Sequence, residues 1–161
     1  MDLGLPREMI IFIKNIIYSR FLIPVNISSN KQHVATRGLP QGSVLSPTLY
    51  AIYTKGLIHT LHRLSRILEF ADDAVIFAPG KDLVKLFNSL ETSARNIKFY
   101  LKNRGLDLSP EKCQLVVFNK YNLHVERFGM RLNNVIITPS RCVRFLGMIL
   151  DSKLNWNSHV D

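Results

Sequence analysis

At 161 residues, 47% hydrophobic and 20% charged, the chain is long enough to bury a core and too apolar to stay disordered. A formal net charge of +9 and an isoelectric point near 9.8 suit a polyanionic partner, and the basic residues run from Arg7 to Lys153 instead of massing in a tail. Two cysteines, Cys113 and Cys142, are too few for a disulfide framework or a zinc site; both sit in apolar, strand-like surroundings that read as buried structural thiols.

Leu5-Pro6 opens a helical segment in which Met9, Ile10, Ile13 and Ile17 recur at helical spacing. The apolar run from Met9 to Tyr18 is interrupted by Lys14 and is shorter than the about 20 residues that cross a bilayer. Asp2 and Glu8 bracket the start with no small-residue cleavage site after them. No membrane span or secretory leader is expected, and the chain reads as intracellular. Phe21 to Ile27 and Gln32 to Thr36 read as two strands around the polar turn Ser28-Ser29-Asn30-Lys31. Gly38 to Ser43 is a loop, and Ser46-Pro47 starts a helix with Tyr50, Tyr53, Leu57, Leu61 and Leu64 along one stripe. The Tyr50 and Tyr53 stripe reads as core in preference to a stacking platform.

Ile67-Leu68 and Ala74 to Ala78 are short apolar runs on either side of Phe70-Ala71-Asp72-Asp73, the pattern of two strands joined by a tight turn. Two adjacent carboxylates at a hairpin tip concentrate charge unfavourably unless a cation binds there. Hard divalent ions take carboxylate and phosphate oxygens, so a metal-phosphate site is one reading. Taken by itself, the pair reads first as a solvated acidic turn. Pro79-Gly80 breaks the chain, and a long amphipathic helix follows with Leu83, Leu86, Phe87, Leu90, Ala94, Ile97 and Leu101 on one face and Gly105 placed to end it. Gln114 to Phe118 reads as a strand, and the remainder as short β-segments around Asn133-Asn134 and Asp151-Ser152. The expected class is α+β, with helices on one face of an antiparallel sheet. His33, His59, His62 and His124 have no partner pattern and read as surface residues.

Arg37-Gly38-Leu39-Pro40-Gln41-Gly42-Ser43-Val44-Leu45-Ser46-Pro47, then Phe70 to Asp73, then Gly105 to Lys112, then Arg144 to Asp151 stand in an order that resembles the fourth to seventh conserved blocks of reverse transcriptases. The wording of these blocks, together with Lys153-Leu154-Asn155-Trp156 and His159, resembles the jockey-like branch of the non-LTR (LINE-type) retrotransposon enzymes. The resemblance covers nearly the whole chain. It implies an RNA-directed DNA polymerase with a right-hand palm fold, an RNA template, a DNA primer, dNTPs and two Mg²⁺ or Mn²⁺ ions.

Carried over residue by residue, the resemblance makes Asp72 the main metal ligand of the hairpin, with Asp73 in support and Phe70 and Ala71 beside the site. Pro40, Gln41, Gly42 and Ser43 match the loop that lines the nucleotide and template pocket, where glycine lets backbone approach closely and Gln41 can donate and accept. Lys112 matches a lysine near the nucleotide phosphates, and as a lone residue it reads equally as a solvated charge. Phe145, Leu146 and Gly147 match the hairpin that holds the primer end, or are plain core and turn residues. His159 matches a common family position, and Trp156 reads as an anchor. The expected organisation is a partial reverse transcriptase domain over 1–161: Gln-Gly block and helix at 36–64, acidic hairpin at 65–80, helix-strand lysine block at 81–120, and a primer-grip-like β region at 121–161.

The family's first acidic block has no counterpart here. Leu3-Gly4-Leu5-Pro6 resembles the stretch that follows that block, so Asp2 does not match, and fingers and thumb are likewise largely missing. Lys55-Gly56 departs from the family, where an acidic residue often follows the helix. The expectation is a palm fragment of a longer protein that does not polymerise alone. The alternative is a catalytically inactive remnant or co-opted domain that binds nucleic acid through its basic surface.

Overall fold

A computed structural model describes residues 4–18, 20–22, 33–35, 38–121, 124–156 and 159. The chain forms two compact units, Met1–Tyr53 and Thr54–Asp161. In the first, α1 (Arg7–Ile17) forms over the expected helical segment and ends where the backbone turns extended at Tyr18. None of its residues is buried: Met9, Ile10, Ile11 and Phe12 are all exposed. β1 (Arg20–Leu22) pairs antiparallel with β2 (His33–Ala35). The rest of both expected strands and the Ser28 to Lys31 turn fall outside the described residues.

α2 (Ser46–Thr54) starts at the expected Ser46-Pro47 but stops well short of Leu64. The reason lies at Gly56, whose N–H donates to Tyr100 Oη at 3.0 Å and so cannot continue a helical ladder. A 3₁₀ turn, Leu57–Thr60, follows. Tyr50 is half-buried and Tyr53 exposed, so the expected core stripe holds for neither ring in full; Thr54 and Leu57 are the buried residues.

The second unit is organised by α3 (Leu83–Lys102). Asp82 caps it by accepting from Lys85 N at 3.2 Å. It ends in a Schellman pair, Gly105 N to Lys102 O and Leu106 N to Leu101 O, both 3.0 Å, which Gly105 permits with φ 71°. Its expected apolar face is the core face: Phe87, Ala94, Ile97 and Leu101 are buried, and Phe87, Ile97 and Leu101 each stabilise by roughly 1.5–3 kcal/mol. β3 (Arg66–Phe70) and β4 (Asp73–Phe77) form an antiparallel hairpin that presents Ile67 and Ile76, directly opposite each other, to the cluster of Leu57, Ile97 and Leu101. Ile76 and Leu108 also join a second cluster built on Phe87, Ala94, Leu115, Leu132 and Ile137, where the Phe87 and Phe128 rings stack at 5.1 Å.

Only Leu115–Val116 of the expected Gln114 to Phe118 strand is strand, β5. β6 (Met130–Leu132) and β7 (Val135–Ile137) form a hairpin turned at Asn133-Asn134, with Asn133 left-handed at φ 57°. β8 (Pro139–Ser140) runs parallel to β5, and β9 (Cys142–Phe145) pairs antiparallel with β10 (Met148–Asp151). The α+β class therefore stands, but among the described residues the strands do not join into one antiparallel sheet. Among the described residues the strands join two by two, with β5–β8 parallel. Alternation marks a short run as strand without naming its partner, which is where the expectation failed. Cys142 is exposed and Cys113 half-buried, correcting the buried pair: the period of two along β9 turns Val143 and Phe145 inward and Cys142 and Arg144 outward. No helix among the described residues is long and apolar enough to cross a membrane.

Candidate active site

In the β3–β4 register Phe70 stands opposite Asp73, so Ala71 and Asp72 are the two turn residues. Ala71 sits left-handed at φ 51°, a conformation that costs a residue with a Cβ roughly 1–2 kcal/mol. Asp72 and Asp73 are both exposed, and neither carboxylate is engaged by a hydrogen bond or ion pair among the described residues. Phe70 is 64% exposed beside them.

The start of β3 is held by a polar cluster that the sequence reading missed. His62 Nδ1 and Ser65 Oγ each lie 2.8 Å from Ser89 Oγ, and His62 N donates to Ser93 Oγ at 3.0 Å. Ser89 and Ser93 are fully buried on α3, and His62 is half-buried instead of lying on the surface. Two serines four residues apart on an otherwise apolar helix face were the available signal, because buried hydroxyls require partners. His59 and His124 are exposed as expected, and the His33 side chain is outside the described residues.

In the first unit Pro40 to Ser43 is a tight turn: Ser43 N donates to Pro40 O at 3.4 Å, with Gly42 at φ 81° in the position that a type II turn reserves for glycine. Ser46 Oγ closes it by donating to Pro40 O at 2.7 Å, and Arg20 Nη2 donates to Gly38 O at 2.7 Å. Gln41 and Gly42 are exposed.

Lys112 is exposed at the end of a 3₁₀ turn, Pro110–Lys112. Next to it the Cys113 thiol is pushed up by burial, with a smaller push from Glu111. Leu146 and Gly147, at φ 48° and 80°, are the two central residues of the β9–β10 turn, and positive φ at both matches the twist of the flanking strands. This hairpin is tied to the lysine block by Arg144 N donating to Gln114 Oε1 at 3.0 Å and Asn119 N to Ser152 O at 3.1 Å.

Beyond it, Asp151 accepts from Lys153 N (2.8 Å), Asn155 N (2.9 Å) and Trp156 N (3.0 Å). Burial pushes its carboxyl up, but these donors outweigh it and hold the group below the ordinary carboxylate range. Trp156 meets His159 edge to face at 6.2 Å, and His159 Nδ1 accepts from Ile149 N at 3.3 Å.

The structure thus gathers Phe70, Ala71, Asp72 and Asp73 on one turn and Leu146 and Gly147 on another, with Phe145 leading into it. Among the described residues no hydrogen bond or ion pair links the acidic turn to Lys112 or to the β9–β10 turn. Nor does any group of three or more His, Cys, Asp or Glu come together there.

The family described as "Reverse transcriptase (RNA-dependent DNA polymerase)" matches residues 3–150. The chain is similar to the RNA-directed DNA polymerase from mobile element jockey of Drosophila melanogaster, at 26% identity over 96% of the chain and 18% of that relative. It is also similar to the probable RNA-directed DNA polymerase from transposon BS of the same fly, at 26% over 88% of the chain and 16% of the relative. A third relative is the retrovirus-related Pol polyprotein from type-1 retrotransposable element R1 of Nasonia vitripennis, 26% identical over 74% of the chain and 37% of the relative. The chain therefore spans under a fifth of the first two relatives. No solved structure matches it.

Proposed function

The chain belongs to the reverse transcriptase family, on its jockey-like retrotransposon branch, and from that premise we propose that it supplies the palm-side metal site of an RNA-directed DNA polymerase. The observation that carries this reading is the acidic turn: two adjacent exposed carboxylates, unengaged by any described residue, on a turn fixed by a five-residue strand on each side. Four hard oxygen donors with no internal partner fit Mg²⁺ or Mn²⁺. Divalent ions held there would supply positive charge for the developing charge on the phosphoryl oxygens of nucleotidyl transfer.

In this reading Asp72 and Asp73 hold the ions, and the remaining ligands come from nucleotide phosphates and from other parts of a longer polymerase. The Pro40 to Ser43 turn offers the exposed Gln41 amide and a close glycine backbone to the template base and the incoming dNTP. The Lys112 ammonium carries charge and a proton to the pyrophosphate, and the Leu146-Gly147 turn with Phe145 braces the primer end. RNA template, DNA primer and dNTPs are the partners.

The test is RNA-templated primer extension by a full-length jockey-type polymerase in which this chain replaces the matching segment. The chimera is expected to synthesise DNA with Mg²⁺ and to lose at least about a hundredfold in kcat on Asp72→Asn, since even partners one step removed from a metal are worth 10–100-fold. An active chimera that is indifferent to Asp72→Asn refutes the assignment.

A further inference from the structure

The second rung below the β9–β10 turn is the pair Arg144–Ile149, and both of its amides turn away from the partner strand. Among the described residues no further strand joins this hairpin, so side chains take the place of a ladder. Arg144 N donates to Gln114 Oε1 at 3.0 Å, and Ile149 N donates to His159 Nδ1 at 3.3 Å. An N–H can only donate, so the Gln114 atom at this contact is its carbonyl oxygen.

The Gln114 contact stands close to two parts of the site at once. Lys112 lies two residues before Gln114, and Leu146 lies two residues after Arg144. Buried Pro110 and Leu115 fix the segment that carries Lys112 and Gln114 from either end, and Lys112 N donates to Ser109 O at 3.1 Å within the 3₁₀ turn. The other ties between these stretches fall lower. Ser140 Oγ donates to Leu115 O at 3.0 Å beneath the β5–β8 pairing, and Asn119 N meets Ser152 O at 3.1 Å beyond the far end of the hairpin.

The turn above this rung needs such a brace. Leu146 is held left-handed at φ 48° although it carries a Cβ, and a residue stays in that region only where its surroundings over-determine it. Freed from Gln114, the upper part of β9 is held by β10 alone, and the turn loses its fixed relation to Lys112.

We propose that Gln114 is a positioning residue: its side-chain oxygen, by holding Arg144 N, sets the Lys112 ammonium against the Leu146-Gly147 turn. The inference rests on the roles proposed above for Lys112 and for this turn, and it adds what keeps the two in register. Placement of that kind weighs on rate far more than on stability, because a shift of about 1 Å in a reacting group can cost on the order of a hundredfold.

Two substitutions separate the oxygen from the bulk of the side chain. Gln114→Glu keeps an acceptor for Arg144 N, while Gln114→Leu keeps the size and removes the acceptor. In the 161-residue chain, hydrogen exchange at the Arg144 amide should speed up on the order of fivefold in Gln114→Leu and stay near wild type in Gln114→Glu. In the polymerase chimera, Gln114→Leu should lower kcat on the order of tenfold, with template–primer affinity measured without dNTP unchanged and Gln114→Glu restoring the rate. Lys112→Gln should then cost much less in the Gln114→Leu background than alone, because a displaced ammonium has little left to lose. The proposal is overturned if the Arg144 amide is unprotected in the wild-type chain, if Gln114→Leu matches wild type in rate or loses template–primer affinity in step with it, or if Gln114→Glu is as impaired as Gln114→Leu. Additive losses with Lys112→Gln, or a Lys112→Gln chimera as active as its parent, overturn it equally. A chimera indifferent to Asp72→Asn refutes the metal assignment and leaves the Gln114 and Lys112 comparison standing; one that makes no DNA refutes the polymerase reading and takes this proposal with it.

Discussion

Ser89→Ala is expected to destabilise the 54–161 unit through a group that never meets solvent. Ser89 is 1% exposed, and its hydroxyl is shared by Ser65 Oγ and His62 Nδ1, each at 2.8 Å. Removing it deletes two neutral hydrogen bonds, worth about 1 kcal/mol each net, and leaves the buried Ser65 hydroxyl without this partner. Alanine's better helix propensity returns about 0.5 kcal/mol. The balance is a loss of about 2 kcal/mol, a fall of about 4–8 °C in melting temperature for a chain of this size. Ser65→Ala removes the same bond from the other side, so the double variant should fall short of the sum of the singles by about 1 kcal/mol. Urea unfolding of the four proteins completes the cycle, and hydrogen exchange locates the effect: amides of Arg66 to Phe70 should lose protection, because Ser65 leads directly into β3. A melting shift under about 1 °C, or full additivity, refutes the idea that this cluster holds the hairpin.

Ala71→Gly should raise the melting temperature by about 2–4 °C, since glycine adopts φ 51° without the roughly 1 kcal/mol strain of a Cβ; an unchanged or lower value would mean that the turn is not strained. Asp82→Ala tests the cap of α3 through pH. The backbone bond from Lys85 N, aided by the Lys85 charge 3.4 Å away, holds the Asp82 carboxyl below its ordinary value despite an opposing push from burial. A lowered folded pKa contributes stability above the unfolded value of about 3.9 and loses it as pH falls through the folded one. The variant should therefore melt below wild type at pH 7, and the gap should close on acidification below about pH 4. A gap that persists at pH 2 means that the charge is not the cause.

What the sequence made legible follows how local each determinant is. α3 could be read because seven apolar residues repeat at one period and Gly105 closes the helix from within four residues of its end. The acidic hairpin could be read because two strands joined by two residues leave a single register. The end of α2 could not: it depends on Tyr100, 44 residues downstream, taking the Gly56 N–H. The β5–β8 pairing and the burial of His62 against Ser89 are of the same kind, made by partners that no short window contains. Cys142 failed differently, because an apolar neighbourhood says nothing about which side of a strand a residue takes.

The same separation of local from distant bears on why the acidic turn is where it is. The chain carries 21 lysines and arginines against 12 acidic residues, so a carboxylate pair could readily have found a cation within the fold. Glu91 has done so with Arg95 at 3.3 Å, and Asp82 with Lys85. Asp151 is held instead by backbone donors. Asp72 and Asp73 alone among these are adjacent to each other and engaged by nothing described. Like charges on adjacent residues repel each other, the more so wherever protein lowers the dielectric. Ala71 adds backbone strain at the same turn. Stability is thus given up at one point, while the Ser89 cluster and the Ile67–Ile76 contact hold the hairpin beneath it. A divalent cation bound at this turn, as proposed above, would offset that electrostatic cost.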